Sequence, residues 1–162
     1  MIKMDPSYDA TKPSATEIAK WDERYATGVE KVDNQHKELF KLTNDLYRAC
    51  LSGDAATNVV FKDSLHRMVD YVRFHFNDEL VILKKINYPE FNEHKRQHDE
   101  LVKKVLDAVK NYDEGKRFVA NNFVRDLKDW IFEHIGHTDK KYAIYISELK
   151  KRGLITDQQI LG

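Results

Sequence analysis

Two pairs of residues set the chemistry open to this chain. His75 and Glu79 stand four residues apart, and so do His94 and His98. Four residues of α-helix turn through about 400°, so each pair lies about 40° apart on one face and suits one metal ion. His36 and His134 offer the same kind of nitrogen, and Asp139 follows His134 after five residues. The single cysteine, Cys50, excludes an internal disulfide, a cysteine-based zinc knuckle and an iron–sulfur site. Any metal is therefore held by imidazole and carboxylate, donors that suit iron, with manganese or zinc as substitutes. Five imidazoles exceed what one tetrahedral zinc accepts, which points to two metals.

Helices are needed to carry such donors. The three prolines, Pro6, Pro13 and Pro89, leave long stretches without a breaker. Residues 1–20 read as an irregular arm and 21–33 as a packed loop. Asp33 is a candidate N-cap for a first helix running to about Ser52, and Ser52-Gly53-Asp54 breaks the chain. Further helices are expected at about 56–85, 90–112 and 119–138, the last continuing to Lys151 with Gly153 as its stop. Four helices with short connections predict an all-α, up-down-up-down antiparallel four-helix bundle. An N-terminal arm and a helical C-terminal extension complete it. The expected division is an arm at 1–20, the bundle at 21–150 and a tail at 151–162. No strand-like alternation persists and no internal repeat is evident.

A bundle helix shows its apolar residues at alternating steps of three and four. The second helix reads Leu65, Met68, Val72, His75, Glu79, Ile82 without a slip. The first reads His36, Leu39, Thr43, Leu46, Cys50, the third His94, His98, Leu101, Val105, Ala108, and the fourth Phe123, Leu127, Trp130, His134. Each helix thus aims at least one histidine into the core. The histidines open the first and third helices and come late in the second and fourth, so antiparallel packing gathers them at one bundle end. Buried polar groups without partners cost a few kcal/mol each. A set of them at one level beside a carboxylate is a metal site.

Lys plus Arg and Asp plus Glu each number 27, a formal charge of zero. No net field attracts nucleic acid or an anionic membrane. Apolar runs are as short as Val81-Ile82-Leu83, the N-terminus has no secretory h-region, and the expected setting is cytoplasmic. Ferritin-like di-iron bundles use Glu-x-x-His pairs and several glutamates; this chain has His-x-x-x-Glu (His75, Glu79) and His-x-x-x-His (His94, His98) instead, a poor match to that family.

The chain instead resembles the hemerythrin family, specifically its single-domain bacterial members. The resemblance rests on Val32-Asp33-Asn34-Gln35-His36-Lys37, His75-Phe76-Asn77-Asp78-Glu79, His94-Lys95-Arg96-Gln97-His98 and Trp130-Ile131-Phe132-Glu133-His134-Ile135, followed by Asp139-Lys140-Lys141-Tyr142. It spans about residues 21 to 150. It implies a centre of two iron ions (Fe2+/Fe3+), bridged by oxo or hydroxo, that binds O2 reversibly. By the same resemblance His94, His98 and His134 hold the saturated iron, His36 and His75 hold the iron with an open position, and Glu79 and Asp139 bridge the two. On a straight helix Asp139 falls off the stripe and His137 fits it better. The family pattern favours Asp139, with Gly136 permitting a local loosening.

Reversible binding needs a dry pocket, and Trp130, Ile131, Ile135, Phe76 and Leu39 are its candidate walls. Tyr142 and Tyr71 are candidates for hydrogen bonds to a ligand, with plain packing as the alternative. His66 and His137 read as surface histidines, His66 beside Asp70, and Cys50 as a small buried hydrophobe. Leu80 stands where relatives often carry an acid. The leading function is O2 storage, delivery or sensing. A di-iron enzyme acting on peroxide or nitric oxide, and an iron storage or repair protein, are the alternatives. The arm and tail are expected to contact a protein partner or another copy, or to be disordered.

Overall fold

A computed structural model of the 162-residue chain describes residues 17–51, 59–114 and 120–162. Four long segments carry the fold: α1 (Glu30–Leu51), α2 (Val59–Lys85), α3 (Phe91–Asp113) and α4 (Ala120–Glu133). α4 passes through one wide π-helical turn, His134–Thr138, into α5 (Asp139–Lys151), and a short α6 (Asp157–Leu161) follows. α1 packs on α2 and α4, and α2 on α3. The start of α1 meets the end of α2 through Gln35 and Asp78, while the start of α3 meets the end of α4 through Gln97 and His134. Neighbouring helices therefore run antiparallel, as the sequence predicts.

Local chemistry sets the boundaries. α1 begins three residues before Asp33, which corrects its expected role as N-cap. Its carboxylate instead lies in the first turn and accepts hydrogen bonds from the Thr27 amide at 2.7 Å, the Thr27 hydroxyl at 2.8 Å and the Gly28 amide at 3.3 Å. Gly28, at φ +82°, makes the turn that brings those donors round. α2 ends as expected at Ile86-Asn87-Tyr88-Pro89: Asn87 takes φ +51°, and the Tyr88 amide reaches back to the Leu83 carbonyl at 3.0 Å. Gly153, at φ +68°, closes α5 in the same way, with the Leu154 amide on the Leu149 carbonyl at 2.9 Å. The expected breaks at Ser52-Gly53-Asp54 and at Gly115 lie outside the described residues.

All six stripe residues of α2 and all five of α3 are buried, and so are the first four of α1. Cys50 and Trp130 are half-buried, and Ile131 takes the deeper place beside Trp130. The apolar interior divides into two clusters. The larger fills the bundle from Ala108 and Phe61 to Leu39, Phe76 and Ile135. The smaller caps one end with Val29, Val32, Ile82, Leu83, Tyr88, Tyr142, Ile146 and Ile160. Along α1 the order is Val32, His36, Leu39, and along α2 it is Val72, His75, Glu79, Ile82. The polar residues are thus held between the two clusters.

The chain before and after the bundle packs onto it. Asn44 accepts the Ile18 and Ala19 amides, each at 2.9 Å, and donates to the Ala19 carbonyl at 2.7 Å, fixing residues 18 and 19 along α1. In α6, Thr156 and Gln159 form a reciprocal cap, and Ile160 is buried in the end cluster. Among the described residues, no helix is long and apolar enough to cross a membrane.

Candidate metal centre

The structure brings all seven predicted donors together. His36, His75, Glu79, His94, His98, His134 and Asp139 are each 3% exposed or less. Their ligand atoms fall into two groups that share Glu79: His94, His98 and His134 with Glu79 and Asp139, and His36 and His75 with Glu79. The rings of His94, His98 and His134 form a triangle with centroid separations of 4.5, 4.8 and 4.9 Å. His36 and His75 face each other at 4.8 Å.

Both carboxylates reach across the two groups. Asp139 Oδ2 lies 3.2 Å from His36 Nε2, while its Oδ1 lies 3.1 Å from His134 Nε2 and 3.5 Å from His94 Nε2. Glu79 Oε2 lies 3.1 Å from His98, 3.3 Å from His94 and 3.9 Å from His75, in each case to Nε2. All five imidazoles therefore aim the same ring nitrogen inward.

Asp139 reaches this place because of the π turn. Five residues of regular α-helix would carry it about 140° past His134. The wide turn at His134–Thr138 takes up the extra residue, so Asp139 stands to His134 as Glu79 stands to His75. Gly136 lies within the turn, and the Tyr25 ring packs where its Cβ would be, 3.4 Å from that point. His137, the competing candidate, is exposed. His66 is also at the surface, but its acidic neighbour is Asp113 at 4.0 Å rather than Asp70.

Electrostatics treat the donors differently. Burial pushes His75 down to about 3, so its ring is neutral at physiological pH. Burial also lowers His98, against the opposing pull of Glu79. His94 goes the other way: burial lowers it, but the hydrogen bond and charge of Glu79 outweigh that. Burial pushes the Glu79 carboxyl up, and the hydrogen bonds from His94 and His98 hold it well below the usual range. Asp139 is likewise pushed up by burial and by Glu79, yet the His134 and His36 rings keep it low. A neutral imidazole beside ionised carboxylates, as at His75, is the state that metal ligands must reach.

The residues fit a metal on a direct observation. His36 Nδ1 and Nε2, His94 Nδ1, His98 Nδ1 and both oxygens of Asp139 are buried without a hydrogen-bond partner. The Asp139 oxygens lie close to the histidine nitrogens but out of line for hydrogen bonds. Orphaned buried acceptors of this kind cost about 1–3 kcal/mol each, more when charged. A cation where His36 Nε2 and the two Asp139 oxygens converge removes that cost for those three atoms; the Nδ1 atoms face away from it.

Aromatic rings clamp the donors. Phe76 stacks on His98 at 3.6 Å and 3°, and Trp130 on His134 at 4.5 Å and 12°. Tyr142, wholly buried, donates its hydroxyl to Glu79 Oε1, which settles the choice between hydrogen bonding and packing. Tyr71 is half-buried and packs against Phe74 at 5.8 Å. Beside the site lies an apolar cavity with about 10 Å3 of room for the centre of a water-sized molecule. The five predicted wall residues line it, joined by Val72 and Leu101, with the His75 and His134 rings at its side.

Sequence reasoning missed Gln35 and Gln97, which hydrogen-bond His75 and His134. Their signal was present: each is the residue immediately before a stripe histidine, in Gln35-His36 and Gln97-His98.

Comparison with known proteins agrees with this geometry. The family model described as "Hemerythrin HHE cation binding domain" matches residues 27–145. A bacteriohemerythrin of Methylococcus capsulatus is 32% identical over 123 residues, covering 76% of this chain and 92% of that protein. A myohemerythrin of Theromyzon tessulatum is 30% identical over 123 residues, covering 76% of this chain and 89% of that protein. A wild-type hemerythrin crystal structure superposes with a TM-score of 0.72 at 31% identity, covering 78% of this chain and 95% of that one. With the match extending from the turn before α1 into α5, this chain belongs to the hemerythrin family.

Proposed function

We propose that this chain binds O2 reversibly at two iron ions held by His36, His75, Glu79, His94, His98, His134 and Asp139, with an oxo or hydroxo bridge between them. The observation that carries the reading is the pair of buried donor groups sharing Glu79, with Asp139 presenting one oxygen to each side. Reduced iron at such a centre supplies the electrons and the open coordination position that a diatomic gas requires. His94, His98 and His134 with Glu79 and Asp139 would hold one ion. His36 and His75 with the same carboxylates would hold the other, whose smaller set of protein donors would leave a place for a ligand.

The chain's own residues keep that place dry and chemically quiet. The cavity is walled by Leu39, Val72, Phe76, Leu101, Trp130, Ile131 and Ile135, and its room is about that of one small molecule. Among the described residues its lining holds no acid or base other than the His75 and His134 rings, and none of them is placed to deliver protons to a bound substrate. That supports oxygen storage, delivery or sensing over catalysis. The functional unit is the bundle from 21 to 150, with 1–20 and 151–162 as additions, and the cytoplasm suits a centre that must be kept reduced.

Anaerobic reduction of the iron-loaded protein, then air, then argon, tests this reading. A visible absorption band that grows in air and disappears under argon is the expected result. Irreversible oxidation to an inert form, with turnover on peroxide, would favour the enzyme.

A further inference from the structure

Two of the five imidazoles have a partner for the ring nitrogen that faces away from the carboxylates, and both partners are glutamines. His75 Nδ1 lies 2.8 Å from Gln35 Oε1, and His134 Nδ1 lies 3.1 Å from Gln97 Oε1. The Nδ1 atoms of His36, His94 and His98 have none among the described residues. The two braces are built alike. Gln35 precedes His36 on α1 and crosses to His75 on α2; Gln97 precedes His98 on α3 and crosses to His134 after α4. Each donor group therefore has one braced histidine, tied to the helix that carries another.

Each glutamine can face only one way. Gln35 Nε2 donates to Asp78 Oδ2 at 2.8 Å, and Lys31 Nζ lies 2.9 Å from the same oxygen. Gln97 Nε2 donates to Glu93 Oε1 at 3.1 Å, and Arg96 Nε donates to the other Glu93 oxygen at 2.9 Å. Turning either amide over would set its carbonyl oxygen against a carboxylate. With the amide nitrogen committed, the carbonyl oxygen must meet the imidazole. A carbonyl oxygen only accepts, so Nδ1 must carry the hydrogen. Thr138 fits the same polarity, donating its hydroxyl to Gln97 Oε1 at 3.0 Å.

We propose that Gln35 and Gln97 are matched positioning residues. Each is oriented by an anchored carboxylate and fixes one histidine per donor group, His75 and His134, as the Nδ1–H tautomer with Nε2 free for the metal. The part concerning metal rests on the dinuclear reading above; the part concerning tautomers does not. Partners of this kind typically change metal affinity by about 10- to 100-fold.

The test uses the full chain, metal-free and zinc-loaded, with nitrogen-15-labelled histidine. In the metal-free protein, ring nitrogen shifts of His75 and His134 should show hydrogen on Nδ1. Gln35→Leu should release His75 into a mixture of tautomers and weaken one of two zinc equivalents by about 10- to 100-fold, leaving His134 unchanged. Gln97→Leu should do the same to His134 and the other equivalent. Gln35→Glu, which keeps an acceptor, should hold the His75 tautomer where leucine does not. General loosening of the bundle would lower thermal stability without this selectivity. Unchanged tautomers and zinc affinities in both leucine variants would overturn the proposal. Fixed tautomers in wild type that vanish in the leucine variants, with no zinc bound, would support the brace and overturn only the dinuclear reading.

Discussion

His134 Nε2 and Asp139 Oδ1 lie 3.1 Å apart although five residues separate them, because one π turn absorbs the fifth. Deleting Gly136 should therefore convert the wide turn into regular α-helix while keeping α5 in phase. His134 and the acid would then stand at the spacing of His75 and Glu79. We expect this deletion to fold and to keep its metal stoichiometry. Deleting Lys128 from regular α4 should instead rotate His134 by about 100° and abolish metal binding. Metal analysis and circular dichroism of the two variants distinguish these outcomes. Equal loss in both would contradict the phase argument.

That turn also marks the limit of what the sequence disclosed. The stripes of α2 and α3 could be read residue by residue, because a step of three or four reports a regular helix. Glu79 was found that way. Asp139 came only from the family resemblance, since a π turn leaves no periodic signature. The glutamines escaped because an amide before a histidine looks like any polar residue until the facing helix is in place. The packing of Ile160 was hidden for a similar reason, as five residues from Arg152 to Thr156 separate α5 from α6 and break the helical period.

Tyr142 is the protein donor to Glu79 Oε1, and its own hydroxyl is held protonated by burial and by the Glu79 and Asp139 charges. Tyr142→Phe leaves a buried carboxylate oxygen unsatisfied. It should lower the stability of the metal-free protein by about 1.5–3 kcal/mol, measured by urea denaturation. A loss no larger than that of an exposed tyrosine would show that the bond contributes nothing.

Acid should unfold the metal-free protein early. His75 is held down to about 3 against an ordinary value of 6.5, so between these values the unfolded chain binds the extra proton. Stability therefore falls as pH drops through that window. Glu79 and Asp139, also held low, act in the same direction at the acid end, and His94, raised, partly opposes them. Denaturation midpoints at pH 7.5, 6 and 5 should decline in that order. Protons and metal compete for the same nitrogens, so metal affinity should decline over the same range. Flat midpoints would refute the assignment of a neutral, buried His75.

Ile160 docks α6 on the cluster that contains Tyr142, Leu83 and Val32. Ile160→Ala should cost about 1–3 kcal/mol of local stability, read as faster amide exchange in α6 and at the ends of α2 and α5. The far end of the bundle, around Phe61 and Ala108, should exchange as before. Uniform acceleration throughout the bundle would show that α6 belongs to the global folding unit.

Seven side chains gripping a pair of iron ions would fix the metal count at two per chain. Elemental analysis of protein loaded anaerobically with ferrous iron and freed of excess tests it most directly. Two iron ions per chain are expected, falling to one or none in His36→Ala and Asp139→Ala. One ion or none in the unaltered protein, or two retained after both substitutions, would contradict it.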